Sequence, residues 1–247
     1  MFLLADIGNT TIDIAPYDTK LIKKEKIFIN DITKIEEYVI SLQPSSIKKC
    51  LISSVNNIGK NNLITVLNKY NIEYSCITPN IIDKYSKMND LTITNSSYLG
   101  ADLFCDVIAS GNNSIIIDLG TVGKIIFIDK TGLFHGCMIF PDIVQFPVMM
   151  GQSTDLLKAY DISTNPPIVS LKTEECMSSG AINGVASLVA GVTNKIKEEY
   201  NCLDATIYLT GGNSYLIKNI LKDYNLKEFI FDLDLSLKGL LKLINIL

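Results

Sequence analysis

The chain contains no Arg and no Trp, has a single His, and is poor in charge of either sign: only 19% of its 247 residues are charged. All 22 basic residues are Lys, so one subunit supplies no bidentate guanidinium clamp for a carboxylate or phosphate. Against 26 acidic residues they leave a net charge of -4, so there is no basic surface of the kind that captures nucleic acid, and no nucleic-acid partner is expected. No apolar run approaches the roughly 18 residues of a membrane span. The longest, residues 138–150, is broken by Pro141, Asp142 and Pro147, and the opening Met1-Phe2-Leu3-Leu4-Ala5 meets Asp6 too early for a signal peptide. No membrane partner is expected, and the location is read as cytoplasmic. Cys50, Cys76, Cys105, Cys137, Cys176 and Cys202 stand singly, with only His135 to join them, which excludes a zinc site and predicts reduced, buried thiols.

What is present is a core-forming composition, 47% hydrophobic, in which strand-like and helix-like segments alternate, so the class is α/β. Residues 2–5 read as a buried strand opening at Asp6 and Gly8 into a tight turn, with residues 11–16 returning as the second strand of a hairpin. A helix marked by Ile32, Ile35 and Val39, a strand at 50–53 and a helix marked by Leu63 and Leu67 follow. The polar stretch 71–97 reads as a strand and then a substrate loop, 99–109 as a helix, and Ser110-Gly111-Asn112-Asn113 as a turn cluster. Ile115-Ile116-Ile117-Asp118-Leu119-Gly120-Thr121 then repeats the opening pattern Leu3-Leu4-Ala5-Asp6-Ile7-Gly8-Asn9-Thr10, again followed by strands, at 124–129 and 133–139. A long helix over 174–200, a strand at 205–209, Gly211-Gly212, a helix to about 223, a strand at 228–231 and a final amphipathic helix complete the chain. The expected architecture is a duplication: two similar lobes, 1–113 and 114–247, with a nucleotide cleft between them.

A strand ending in Asp-x-Gly-x-Thr brings together a carboxylate for a cation, a Gly that lets backbone N–H groups approach oxygens, and a hydroxyl donor. Either copy alone is also ordinary turn chemistry; two copies at matching places point to phosphate binding. Thr210-Gly211-Gly212, between a strand and a helix, adds a third loop. The bland readings hold for His135 as a satisfied structural residue, for Met149 and Met150 as core or interface packing, and for Lys20, Lys23, Lys24 and Lys26 as a solvated turn and strand edge. The small residues Ala181, Gly184, Ala186, Ala190 and Gly191 of the long helix permit close packing on a partner or on their own lobe.

The order Asp6-Ile7-Gly8-Asn9-Thr10, Ser53-Ser54-Val55, Gly100-Ala101-Asp102, Asp118-Leu119-Gly120-Thr121, Thr173 with Ser179-Gly180, and Thr210-Gly211-Gly212 resembles the type III pantothenate kinases, members of the acetate and sugar kinase, heat-shock ATPase and actin superfamily. The resemblance spans residues 2 to about 222 and implies a duplicated ribonuclease H-like fold and transfer of phosphate from ATP to the primary hydroxyl of pantothenate, the first step of coenzyme A biosynthesis. It implies that Asp6, Ile7, Gly8, Asn9, Thr10, Thr11, Ile12 and Asp13 form the first ATP phosphate loop, with Asp6 close to magnesium. Thr121 would touch ATP, as would Gly211 and Gly212, and Asp118 would coordinate potassium or ammonium. Gly100, Ala101, Asp102 and Leu103 would hold pantothenate together with Ile93 and Thr173, Asp102 acting as general base. A homodimer is implied as well.

Departures from the family pattern concentrate on the substrate side. Leu103 replaces an Arg, Ile93 an aromatic residue, and Ser96 the Pro that follows Asn95. In the second loop Val122-Gly123-Lys124-Ile125-Ile126 replaces Ala-Thr-Thr-x-Asp, and further on Asp142 replaces a Gly. Lys124, three residues from Thr121, either brings its ammonium to the phosphates or to Asp118, where it would substitute for potassium, or points into solvent. Three readings stay open: a pantothenate kinase with a rearranged pocket, a kinase of another small hydroxyl substrate, and a nucleotide-binding regulator without phosphoryl transfer.

Overall fold

In the computed structural model, which describes residues 1–158 and 160–246, the first hairpin is β1 (Phe2–Ile7) and β2 (Thr11–Tyr17), extended by β3 (Glu25–Phe28). The Asp31 carboxylate accepts the Lys34 amide and starts α1 (Ile32–Ser41). Next come β4 (Lys49–Ser54), α2 (Asn57–Lys69), β5 (Tyr74–Cys76), α3 (Pro79–Met88) and α4 (Ala101–Ser110). The remainder runs β6 (Ser114–Leu119), β7 (Val122–Ile128), β8 (Phe134–Pro141), α5 (Gln145–Ser153), α6 (Thr173–Glu199), β9 (Thr206–Thr210), β10 (Ile230–Phe231) and α7 (Leu235–Lys242).

Two compact units result, Met1–Ser110 with the chain from Asp234 onward, and Gly111–Leu233. Their sheets repeat one plan, β3-β2-β1-β4-β5 in the first and β8-β7-β6-β9-β10 in the second. In each, two antiparallel pairings are followed by two parallel ones, which is the duplicated ribonuclease H-like arrangement. β1 reads as a continuous apolar run because both its faces are covered. Leu3, Ala5 and Ile7 pack with Ile35 and Val39 of α1 and Leu63 and Leu67 of α2, while Leu4 packs with Cys105 of α4 and Leu237 and Leu240 of α7. In the second unit Ile115, Ile117 and Leu119 pack on Ala181, Val185, Ala186 and Val189 of α6. By length and composition alone α6 suffices to cross a membrane, but that stripe makes it a core helix.

Several expectations need correction. The last helix does not join residues 114–233: Leu237 and Leu240 cover the first sheet, and α7 crosses α4 so closely that a Cβ on Gly239 would lie 2.2 Å from the Cys105 carbonyl oxygen. The division falls at Gly111, in the left-handed region at φ +77. The polar stretch 71–97 contains α3, whose narrow buried stripe, Ile82 and Tyr85, lies in an otherwise polar segment. Where a helix to about 223 was expected there are short 3-10 turns, Ser214–Leu216 and Leu221–Tyr224. Cys137 and Cys176 are exposed and Cys76 is part-buried, so only Cys50, Cys105 and Cys202 are core thiols. Met149 is exposed, and Lys24 is an ion-pair residue rather than a solvated one. His135 is the structural residue expected: its Nε2 lies 2.9 Å from Asp129 Oδ2 and its ring stacks on Phe127.

Candidate active site

The first hairpin turns at Gly8, whose amide donates to the Thr11 carbonyl at 3.0 Å, leaving Asn9 and Thr10 exposed at the tip. Ile7 and Ile12, both fully buried, offer a ligand only their backbone. Asp6 stands opposite Asp13 across the hairpin and beside Ser53 of β4. Burial pushes the Asp6 carboxyl up to about 6; the charges of Asp102 and Asp13 push the same way, and the Ser53 and Ser236 hydroxyls partly offset them. Asp6 Oδ1 accepts no hydrogen bond among the described residues. Asp13 is neutralised by Lys24 at 3.0 Å and Lys26 at 3.5 Å, and Lys24 also reaches Asp234 at 3.1 Å. The start of α7 thus serves this loop, which no local pattern in the C-terminal sequence announced.

Asp102 lies in the first turn of α4, where the helix dipole favours a carboxylate. A Cβ on Gly100 would sit 2.6 Å from Asp102 Oδ1, so the glycine makes room for the carboxylate to fold back over the helix start. The sequence signal for this was the Gly100-Ala101-Asp102 element itself. Ala101 and Leu103 are buried, Ile93 is part-buried, and the Asn95 side chain accepts the Ser97 amide at 3.0 Å. Asp6, Asp13, Gly100 and Asp102 are therefore brought together in the first unit. Thr173, the exposed first residue of α6, belongs to the second.

In the second unit the β6–β7 hairpin turns through Gly120 and Thr121, both part-buried. Asp118 stands opposite Lys124, and the Lys124 Nζ lies 2.6 Å from Asp118 Oδ2. Gly211, at φ +88, closes the third loop over the second: a Cβ there would lie 2.3 Å from the Leu119 carbonyl oxygen and 2.5 Å from Asp118 Oδ1. Gly212 is exposed. Asn213, which sequence reasoning missed, ties the loops together. Its backbone amide donates to Leu119 O at 2.8 Å, and its Nδ2 donates to Gly120 O at 2.8 Å and to Asp142 Oδ2 at 2.6 Å. Burial pushes the Asp142 carboxyl up to about 6; Asn213 and the Ile143 amide pull it down, and the Asp118 charge pushes it further up. Among the described residues no three His, Cys, Asp or Glu side chains gather as a metal cluster.

The family model for type III pantothenate kinase matches residues 2–195. A type III pantothenate kinase of Sulfurihydrogenibium sp. (strain YO3AOP1) is 32% identical, covering 97% of this chain and 98% of the relative. Another, of Acholeplasma laidlawii, is 29% identical, covering 98% of each. Among solved structures, a conserved Baf family protein of Campylobacter jejuni superposes with TM-score 0.64 at 21% identity, covering 98% of this chain and 97% of that one. An activator of 2-hydroxyisocaproyl-CoA dehydratase from Clostridium difficile, with bound ADPNP, gives TM-score 0.53 at 13% identity, covering 97% and 91%. These structural likenesses establish the fold.

Proposed function

The chain belongs to the type III pantothenate kinase family, and we propose that it carries out that family's phosphoryl transfer, with Asp102 at the start of α4 as its base. The reaction moves the γ-phosphoryl of ATP to the primary hydroxyl of pantothenate, the first step of coenzyme A biosynthesis. Asp102 orients the hydroxyl and takes its proton as the new P–O bond forms and the bond to ADP breaks. The observation that carries this reading is the placing of Asp102, on a helix start held open by Gly100 and close enough for its charge to act on Asp6.

Asp6 suits magnesium: a buried carboxylate oxygen without a hydrogen bond among the described residues, in a setting made electronegative by Asp102 and Asp13. Magnesium commonly binds through one or two carboxylates together with substrate phosphates, and Asp6 supplies one such carboxylate. When bound, it would neutralise phosphate charge. The backbone of residues 6–13, the Thr121 hydroxyl and the loop of Gly211 and Gly212 would contact ATP. A potassium or ammonium ion at Asp118 does not fit, since the Lys124 ammonium already engages that carboxylate.

Ile93, Gly100, Ala101 and Leu103 line the proposed substrate segment, and Thr173 would hydrogen-bond the substrate. Leu103 is buried and apolar and offers the substrate carboxylate no cation, a role a Lys from elsewhere would fill. A cytoplasmic homodimer completes the reading: Ala181, Ala186 and Ala190 are used in the chain's own core, whereas Gly184 and Gly191 are exposed one heptad apart on α6. ADP release with ATP, magnesium and pantothenate tests the function. Asp102→Asn is expected to lower turnover about 100-fold to 10,000-fold while leaving fold and ATP affinity intact. Turnover within a few-fold of wild type would remove Asp102 as the base.

A further inference from the structure

Asp118 and Lys124 are direct cross-strand partners, so their side chains leave the sheet on the same side. With only Gly120 and Thr121 between the strands, the hairpin fixes that register covalently. Their side chains are 13% and 17% exposed, and the ammonium lies 2.6 Å from Asp118 Oδ2. On the other side of the carboxylate the Gly211 backbone approaches Asp118 Oδ1 too closely to admit even a Cβ. Nor is the pairing a general property of such hairpins, since the equivalent position in the first one is Asp13.

We propose that Lys124 is a built-in monovalent cation of the nucleotide site, its ammonium holding Asp118 and the adjoining loop in the binding arrangement so that ATP binding needs no added potassium or ammonium. The inference rests on reading the Asp118 loop as an ATP loop. A tethered ammonium carries the same single charge as potassium and needs only oxygen acceptors. Unlike that of a free ion, its local concentration does not depend on the salt in solution, because the strand register tethers it opposite Asp118. Asp142, whose carboxyl feels the Asp118 charge, adds to the negative charge behind this loop. Removing the ammonium is therefore expected to create a demand for an external cation.

The test is binding of magnesium with a non-hydrolysable ATP analogue to the full chain, in potassium chloride and in tetramethylammonium chloride at equal ionic strength. Wild type is expected to bind equally, within about twofold, in the two salts, whereas Lys124→Thr is expected to bind about tenfold or more weakly in tetramethylammonium and to recover in potassium. The proposal is overturned if wild type loses about tenfold on removal of potassium, or if the Thr variant binds alike in both salts. Should Lys124→Thr fail to fold, Lys124→Met keeps the stem without its charge; it is expected to bind weakly in both salts, and wild-type affinity in tetramethylammonium would overturn the proposal. Failure of wild type to bind the analogue in either salt overturns the nucleotide reading, and this proposal with it, and is distinct from a potassium requirement.

Discussion

In the first hairpin Asp6 faces a second carboxylate, Asp13; in the second hairpin Asp118 faces the ammonium of Lys124. The strands have the same lengths and the same place in the sheet, and the turns differ by one residue, three in the first hairpin and two in the second, so the main contrast at the paired position is charge. The first unit answers Asp13 with Lys24 and Lys26, which leaves Asp6 with a raised carboxyl and a buried oxygen that accepts no hydrogen bond among the described residues. The second unit neutralises its aspartate internally. Duplication thus supplied two frames of one topology, of which the first holds paired carboxylates and the second an internal ion pair.

The same substitution at the two equivalent positions breaks this comparison most forcefully. Asp118→Asn strands a largely buried ammonium and is expected to destabilise the free protein by about 2 kcal/mol or more. Asp6→Asn removes a carboxylate whose ionisation burial opposes, so near pH 7.5 it is expected to stabilise the free protein by on the order of 3 kcal/mol. It should also weaken magnesium-dependent nucleotide binding at least about tenfold, the scale on which even supporting groups act at metal sites. Thermal melts without ligand decide the first pair of effects and magnesium titrations the last. Shifts of the same sign in both variants would end the charge comparison.

A second contrast lies in the glycines that shape the loops. Gly211→Ala would require a Cβ 2.3 Å from the Leu119 carbonyl at φ +88, and is expected to cost about 2 kcal/mol or more and to open the Asp118 loop. Gly8→Ala would meet only the Thr11 carbonyl at 3.5 Å, an ordinary contact, and is expected to change stability by about 0.5 kcal/mol or less. Urea melts of the two variants measure this. Equal losses would mean that the third loop does not brace the second.

What the sequence made legible follows the range over which each feature is encoded. Both hairpins and the reach of Lys124 to Asp118 were accessible because strand alternation and a short turn are local. The start of α4 was accessible for the same reason, with Gly100 and Asp102 two residues apart. The destination of α7 was not: its apolar residues Leu237 and Leu240 suit any sheet, and the choice is made by Gly239 against Cys105, far away in the chain. The hydrogen bonds of Asn213 to Gly120 and Asp142 were hidden likewise, since each joins segments whose own patterns are complete without it. Cys137 was misjudged because β8 is an edge strand whose neighbours in sequence are apolar without being buried.

The last contrast, which vanishes at low pH, concerns Asp142, the carboxylate that this chain carries in the second unit where the family pattern has a glycine. It is fully buried, and Asn213 reaches one oxygen while the other accepts no hydrogen bond among the described residues. Its carboxyl titrates near 3.8 when unfolded and is pushed up to about 6 in the fold. Between those values the folded chain holds a proton that the unfolded chain has lost, so stability falls as pH rises through that window. Below about pH 4 both states are protonated and Asp142 costs nothing, whereas above about pH 6 the full penalty is present, on the order of 3 kcal/mol. Asp142→Asn keeps an acceptor for the Asn213 amide and removes the charge. The variant is therefore expected to melt with wild type near pH 4 and several degrees higher near pH 8. A gain of the same size at both pH values would assign the effect to packing, and a loss at pH 8 would mean that the ionised carboxylate is held by a partner, which places it among the charged groups serving the Asp118 loop.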